Sequence, residues 1–467
     1  MHKSCEILKC QLSYNVRFHV TFIGYSIAKV VMNFDNALKM KMPKTFHIAT
    51  LGCKLNYSES SHIARTLQED GFENTLHPEY YILNTCTVTG VAEKKARSLI
   101  AQWHRNQPNA KIVVIGCFAE RDKALVEKLP GVTKVFGSED KMEVISYLLS
   151  QNPDYHTPHT THCIPHTAHH TPHFFATFSS HDRTRSFLKI QDGCDYHCTY
   201  CAVANARGIS RSDTIENVLI NIEKIAQLNC KEVVLTGVNT GDFGRKNGET
   251  FFQLLQEIDN RKPIARVRIS SIEPNLLTDE IIQLFANSNI LMPHFHIPLQ
   301  SGSDNVLSAM KRRYKTALFA DKVAQIKKAM PHACIAVDVI SGFPTETEAD
   351  FEETVAFLST LPISYLHVFT YSKRPQTPAA EMNPQVKDSI KKERTQILLQ
   401  LSETKKTAFY QEHLYTQRAV LFEDDVKNGN IYGFTDNYIR VSAPYNEKLT
   451  NQIVTIELTK LNTHFSF

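Results

Sequence analysis

The chain has 467 residues, 42% of them hydrophobic and 21% charged, with a formal net charge of +4. No apolar run approaches the roughly 20 residues of a membrane helix, so no membrane-spanning helix is expected, and the length asks for two or three domains rather than one core. Eleven cysteines, an odd number spread over a long chain, exclude a disulfide-stapled scaffold and favour metal or catalytic use in a reducing compartment. The mild positive charge permits a nucleic-acid partner without requiring one.

The first 43 residues read as an extension outside the fold, with Met40 or Met42 as alternative starts. Val16 to Met32 is moderately apolar, but Arg17, His19, Ser26 and Lys29 interrupt it and no small-residue cleavage site follows. From Lys44 strand and helix patterns alternate. Phe46–Leu51 reads as a strand, Ser58–Asp70 as an amphipathic helix opened by a Ser cap, and Tyr80–Leu83 as a strand. Val91–Asn106 reads as a helix, with strands at Lys111–Ile115 and Val132–Phe136. This rhythm predicts an open parallel sheet over residues 44–152.

Residues 153–182 break the pattern. His156, His159, His162, His166, His169, His170 and His173 alternate with Thr and Pro, which predicts an interdomain linker. Clustered imidazoles also capture divalent ions, but nothing here fixes a coordination geometry. Over 183–408 the βα rhythm resumes, with strands at Arg185–Ile190, Glu232–Thr236, Arg266–Ser270, His294–Pro298, Cys334–Ile340 and Tyr365–Thr370. Helical patterns such as Ile215–Leu228 and Ala349–Ser359 intervene. Six such units are too few for a closed eight-stranded barrel, so a partial (β/α)6 barrel is expected. Asp388–Phe409 reads as a polar connecting helix, and 409–467 as a small β-barrel with strands at Arg418–Phe422, Tyr438–Val441 and Gln452–Leu458. The fold class is therefore α/β with a β appendage.

Two sets of cysteines carry chemistry. Cys194, Cys198 and Cys201 form a C-x3-C-x2-C run directly after a predicted strand. Three thiolates from one loop would bind three irons of a cubane cluster and leave the fourth open, which suits the amino and carboxylate groups of S-adenosylmethionine. A zinc site completed by His197 or a distant residue is the alternative. Cys53, Cys86 and Cys117 each stand just past a predicted strand, so an open parallel sheet would converge them in one crevice. They read as ligands of a second cluster, or else as three buried core thiols. Cys5, Cys10, Cys163, Cys230 and Cys334 show no such placement.

The triplet, with an aromatic before its last cysteine, resembles the radical S-adenosylmethionine superfamily. Leu235-Thr236-Gly237-Val238-Asn239 stands where that superfamily has a Gly-Gly-Glu motif, keeping one Gly and losing the Glu, and 339–344 resembles its later Gly-containing strand end. The phrases at 50–59, 84–89, 206–208, 268–274 and 296–303 resemble the methylthiotransferase family, over essentially Lys44 to the C-terminus. Asn-Thr-Cys-Thr-Val-Thr (84–89) is most similar to its MtaB-type branch, while Thr345 stands where many relatives have Gly. The resemblance implies two [4Fe–4S] clusters, on Cys53, Cys86 and Cys117 and on Cys194, Cys198 and Cys201, with Gly237, Asn239, Gln300 and Gly342 contacting S-adenosylmethionine. It implies methylthiolation of C2 of N6-threonylcarbamoyladenosine at position 37 of tRNA. The expected partners are the tRNA anticodon stem-loop, a sulfur source, and an electron donor such as a flavodoxin or ferredoxin; the expected location is cytoplasmic. The C-terminal domain resembles the TRAM RNA-binding module, with Arg418, Lys427, Arg440 and Lys448 as candidate phosphate contacts. Competing readings are modification of a ribosomal-protein aspartate by related enzymes, a radical enzyme of another substrate class, and a non-catalytic zinc-stabilised RNA-binding protein.

Overall fold

Apolar strands buried on both faces need helices above and below them, and the first domain is built that way. The computed structural model describes residues 44–87, 90–151, 174–180 and 184–461; the N-terminal extension, the His-rich run and Cys5, Cys10 and Cys163 lie outside the described residues. Strands β1 (Thr45–Thr50), β2 (Glu73–Asn74), β3 (Tyr80–Thr85), β4 (Lys111–Gly116) and β5 (Val132–Phe136) form one sheet in the order β2-β1-β3-β4-β5. All its pairings are parallel. Ile82, Val113 and Ile115 face a core with Ile63, Leu67 and Leu148, while Leu83, Ile112 and Val114 face a second with Ile100 and Trp103.

The helix after β1 corrects one expectation. It spans Lys54–Glu69, with Cys53 at its N-cap position, rather than opening at Ser58. Ser58 is fully buried inside it, its hydroxyl donating to Leu55 O at 2.9 Å and meeting Thr177 Oγ1 at 3.0 Å. A serine hydroxyl satisfied by its own helix and a neighbouring strand has no need to cap.

The barrel wall is likewise all parallel. After β6 (Thr177–Phe178) come β7 (Arg185–Lys189), the short pair β8 (Gln191–Asp192) and β9 (Arg211–Ser212), then β10 (Glu232–Thr236) and β11 (Arg266–Ile269). They are followed by β12 (His294–Gln300), β13 (Cys334–Ser341) and β14 (Tyr365–Thr370). The β7-β10-β11 and β12-β13-β14 groups meet through the bridges Val267↔Leu291 and Ser271↔His296, giving the expected open six-stranded wall. Thr177–Phe178, inside the stretch read as linker, instead pairs antiparallel with β7 along its free edge. Alternate residues such as Leu188, Leu235, Ile269, Ile297 and Val337 pack outward under the helices, with Ile222, Leu254, Phe285 and Phe319. Their neighbours, including Arg185, Phe187, Val234, Arg268 and His294, point into the lumen, where they line a cavity.

The Lys54–Glu69 helix closes the open side of the barrel. Arg65 Nη1 donates to Phe178 O at 3.3 Å and Ser180 Oγ at 2.7 Å, and Tyr57 meets the Phe187 ring edge-on at 5.7 Å. At its centre Glu59, fully buried, takes Lys141 Nζ at 2.8 Å, Lys189 Nζ at 3.3 Å and Arg207 Nη1 at 3.2 Å. Arg207 continues to Asp192 Oδ1 at 2.8 Å and Asn56 Oδ1 at 2.6 Å, and Asp192 also takes Lys189 at 3.5 Å and Arg211 at 3.3 Å.

The C-terminal domain follows the Asp388–Gln411 helix. Strands β15 (Gln417–Lys427), β16 (Asn430–Thr435), β17 (Arg440–Pro444) and β18 (Ile453–Glu457) run antiparallel in the order β17-β16-β15-β18, a curled half-barrel. The sequence reading had no strand at β16, which falls between two of its expected runs. In the sheet a Cβ at Gly433 would lie 2.5 Å from Leu421 O, so the glycine permits a close strand approach. Arg268 ties this sheet to the barrel: Nε donates to Glu232 Oε1 and Nη1 and Nη2 to the carbonyls of Asp436 and Thr435, all at 2.7 Å. Asn437 adds Nδ2 to His332 O and His413 Nε2, both at 2.9 Å, and accepts from Thr435 Oγ1 at 2.7 Å.

Two outcomes are expected. Burial alone would raise the Glu59 pKa, but Arg207, Lys141 and Lys189 reverse this and hold it at about 2. Its ionised form therefore stabilises the fold fully above the unfolded value of roughly 4.3, and that stability fades as pH falls toward about 2. Glu59→Gln should lower stability at neutral pH by about 3–5 kcal/mol, because three buried cations lose their common anion. Urea unfolding followed through Trp103, the one tryptophan in the chain, measures it. The gap to wild type should shrink between about pH 5 and about pH 2; a gap independent of pH rules the account out. Asn437→Ala should cost about 1–3 kcal/mol through the orphaned His332 carbonyl and speed proteolysis after Gln411. An unchanged cleavage rate would show that Asn437 does not hold the sheet in place.

Candidate active site

The convergence expected of the first three cysteines follows from strand order. β1, β3 and β4 are adjacent and parallel, so Cys53, Cys86 and Cys117 stand at three neighbouring carboxyl ends. Gly116 has φ +94°, and a Cβ there would lie 2.6 Å from Asn84 Oδ1, so only glycine turns the chain to present Cys117. Gly52 abuts Cys86 just as closely, a Cβ at 2.8 Å from the Cys86 Cβ. Cys86 and Cys117 are buried and Cys53 is exposed. Cys53 Sγ donates to Asn56 Oδ1 at 3.6 Å, and Ser138 Oγ donates to Cys117 Sγ at 3.6 Å. Arg207 lies close enough to Cys53 and Cys117, and Arg374 to Cys86, for their charges to interact. A ring of thiols flanked by guanidinium groups is chemistry suited to thiolate ligands.

The second triplet sits on the loop after β8. Gly193 has φ +70° and a Cβ there would lie 2.0 Å from Ile209 O. Gln191 knits the loop, donating to Asp192 O, Gly193 O and Ser210 Oγ and accepting from Asn239 N at 2.9 Å. Backbone N–H groups of Tyr196 and Val203 point at Cys194 Sγ and Cys201 Sγ, each at 3.4 Å. Arg312 Nη1 donates to Cys198 Sγ at 3.0 Å and its other nitrogen pairs with Glu273. Burial pushes Cys194 up to about 12 and Cys201 up to about 11, with the neighbouring thiols adding to both. Such thiols ionise when a cationic centre binds them. A tetrahedral zinc would hold its sulfurs ~3.8 Å apart, given Zn–S of ~2.3 Å. Neither triplet, among the described residues, brings three Sγ atoms within 4.8 Å of one another. In each triplet at least one pair of sulfurs therefore lies farther apart than a single tetrahedral zinc would hold them.

Of the residues expected to contact S-adenosylmethionine, Asn239 fits best: it is 3% exposed and neither side-chain amide atom has a partner. Gly237 lies where a Cβ would come within 2.8 Å of Gln191 Oε1. Gln300 ends β12 at a bulge, with φ 74°. Gly342, with φ +72°, makes room for Lys391, whose Cγ would lie 2.4 Å from a Cβ there. Three of the four candidate phosphate contacts are ion-paired: Arg418 with Asp436 at 3.2 Å, and Lys427 and Arg440 sharing Asp425 at 2.9 Å and 3.6 Å. Only Lys448 carries no ion pair among the described residues.

The lumen holds what sequence reading missed. A cavity of 260 Å³ is lined by Gly52, Cys53, Lys54, Arg185, Arg268, His294 and Tyr438, among others. Beside it in the same wall, His296 Nε2 meets Asp338 Oδ1 at 2.6 Å and Ser271 Oγ meets His296 Nδ1 at 3.0 Å. His367 completes a set of three donors within 4.8 Å. Arg207, Glu273 and His296 did lie in the family-like phrases, but their partners are remote in sequence, so the phrases gave no pairing.

Residues 188–358 match the radical SAM superfamily and residues 45–137 match a family described as uncharacterized protein family UPF0004. Threonylcarbamoyladenosine tRNA methylthiotransferase MtaB of Bacillus subtilis is 36% identical over 424 residues, covering 89% of this chain and 93% of that protein. The protein of the same name in Thermotoga maritima is 36% identical, over 85% and 91% of the two chains. The tRNA-2-methylthio-N(6)-dimethylallyladenosine synthase of Aquifex aeolicus is 30% identical, over 90% and 97%. Among solved structures, the radical S-adenosylmethionine methyltransferase TsrM of Kitasatospora setae superposes with a TM-score of 0.52 at 15% identity, over 73% and 77% of the chains, a likeness of fold. The superfamily works with S-adenosylmethionine and a [4Fe–4S] cluster. With a cysteine-bearing parallel sheet before the barrel and these relatives along nearly its whole length, the chain belongs to the radical S-adenosylmethionine tRNA methylthiotransferases, in their MtaB-type branch.

Proposed function

We propose that this enzyme methylthiolates C2 of N6-threonylcarbamoyladenosine at position 37 of tRNA. Cys194, Cys198 and Cys201 hold the cluster that takes S-adenosylmethionine, and Cys53, Cys86 and Cys117 hold a second one. The carrying observation is Arg207: six residues past Cys201, it binds Glu59 and Asn56 of the helix that starts at Cys53, so one buried network joins the two triplets.

With both clusters and S-adenosylmethionine bound, the site would supply a 5′-deoxyadenosyl radical for the hydrogen on C2 and a methylthio group to replace it. An aromatic C–H has no acidic proton, so base catalysis would not serve. The protein's own groups position and shield. Arg312 offers charge to Cys198, Asn239 offers an unpaired buried amide to the cofactor, and the Lys54–Glu69 helix closes the barrel against solvent. The anticodon loop presents a base that can be splayed into such a lumen. The curled C-terminal sheet is the proposed RNA-contacting module, through shape more than through its paired basic residues. A reducing partner such as a flavodoxin or ferredoxin and a separate sulfur source complete the reaction, in the cytoplasm where tRNA is found. Among the described residues no helix is long and apolar enough to cross a membrane.

Anaerobically reconstituted protein should hold about eight irons and eight sulfides, and a Cys53→Ala/Cys86→Ala/Cys117→Ala variant about four of each, from two cubane clusters. Given S-adenosylmethionine, a reductant and a threonylcarbamoylated anticodon stem-loop, the wild type should add one SCH3 in place of hydrogen to the nucleoside, read by mass spectrometry. Four irons in both proteins would sink the two-cluster assignment. An unmodified nucleoside beside a modified ribosomal-protein aspartate would replace the substrate.

A further inference from the structure

The lumen cavity has a chemistry that the clusters do not use. Its 260 Å³ lies just below the roughly 300 Å³ at which pockets begin to hold drug-sized ligands, so it suits a group the size of an amino acid. Its wall carries three cationic side chains: Lys54, Arg185 and Arg268. Arg268 is committed to Glu232 and two carbonyls. Arg185 pairs through Nε with Glu423 at 2.6 Å and has Nη1 3.8 Å from Glu232. Glu232 is shared with Arg266 as well, at 3.8 Å, and Asp338 acts on Lys54 only through space. Lys54 itself makes no side-chain hydrogen bond or ion pair among the described residues. The cavity therefore carries surplus positive charge.

His294 supplies the second, independent observation. It is 5% exposed, lines the cavity, stacks on Tyr438 at 4.1 Å, and neither ring nitrogen has a partner. A buried imidazole with both nitrogens unpaired is costly unless something fills the space beside it.

We infer that the cavity walled by Lys54, Arg185, Arg268 and His294 is a carboxylate subsite that takes the free carboxylate of the threonylcarbamoyl group. This inference rests on the substrate proposed above. That group ends in a carboxylate and a hydroxyl, so a cationic pocket with an unpaired imidazole meets it donor to acceptor. An adenine carrying an apolar N6 substituent would leave Lys54 and His294 unsatisfied, which makes the cavity a specificity determinant as well as an anchor. Gly52 and Cys53 line the same cavity, so a base anchored there lies beside the first cysteine triplet.

The experiment uses two anticodon stem-loops, identical except that one carries the threonyl carboxylate and the other its primary amide. Binding to the reconstituted enzyme is read by fluorescence anisotropy and methylthiolation by kcat/KM. Wild type should prefer the acid by roughly ten- to hundredfold, the factor of one or two charge-assisted hydrogen bonds. Lys54→Met and Arg185→Met should each bring that preference to about threefold or less, and Lys54→Arg should restore it. Because the readout is a ratio within one protein, a variant that is merely less stable does not mimic the result. If the cations instead serve an RNA phosphate, acid and amide bind wild type alike and the subsite is overturned; a preference that survives both Met substitutions overturns it too. Failure of the substrate proposal is distinct: neither stem-loop is methylthiolated whatever their binding ratio.

Discussion

The buried ion cluster around Glu59 and Arg207 is the constraint on which the rest of the structure depends. Two carboxylates, Glu59 and Asp192, and three cations, Lys141, Lys189 and Arg207, sit at 3% exposure or less. Burying charges is weak evidence for stability, since desolvation cancels most of the Coulomb gain. What such a cluster does supply is register. Glu59 lies on the helix begun by Cys53, Lys141 comes from the first domain, Lys189 ends β7, and Arg207 follows Cys201. A one-turn slip of the helix along the barrel would leave five buried charges mispaired. The two cysteine triplets are therefore held at one separation by electrostatics, while the apolar cores beneath them set only where each domain is.

Strand alternation then explains why the lumen is polar. The barrel's outward residues are taken by helices, so their inward neighbours are free to be Arg185, Lys189, Glu232, Arg268 and His294. The floor is closed from outside the barrel: Tyr438 stacks on His294, and Arg268 reaches the carbonyls of Thr435 and Asp436. One arginine thus lines the cavity and anchors the C-terminal sheet. The appended domain is part of the lumen's construction, which explains why its basic residues can be spent on Asp425 and Asp436 rather than displayed to RNA.

Much of this was legible in the sequence, for identifiable reasons. Parallel strands such as Lys111–Gly116 are continuous β-branched runs, and the cysteine triplet announces itself by spacing. All six barrel strands fall where the pattern puts them. The misses are cases where tertiary contact outweighs local signal. Ser58 looked like a cap but is satisfied inside its helix, β16 went unread although Gly433 admits a close strand there, and Thr177–Phe178 has no strand pattern until β7 offers an edge. The pairings that shape the site were unreadable: Arg312 meets Cys198 across 114 residues and Arg207 meets Glu59 across 148. No local window contains both partners.

The two triplets also differ in how they are prepared. The loop of Cys194, Cys198 and Cys201 takes its shape from Gly193, Gln191 and Asp195, whose carboxylate accepts from Ser210 N at 2.9 Å. None of these contacts uses a cysteine sulfur, so the loop's shape rests on its own backbone and polar side chains. Burial pushes the Cys194 and Cys201 thiols up, so each keeps its proton until a cationic centre displaces it. Cys53, by contrast, is exposed, opens into the cationic cavity and begins the helix that Glu59 fixes. One triplet is thus shaped by its own loop, the other by three neighbouring strand ends and the register that the buried ion cluster imposes.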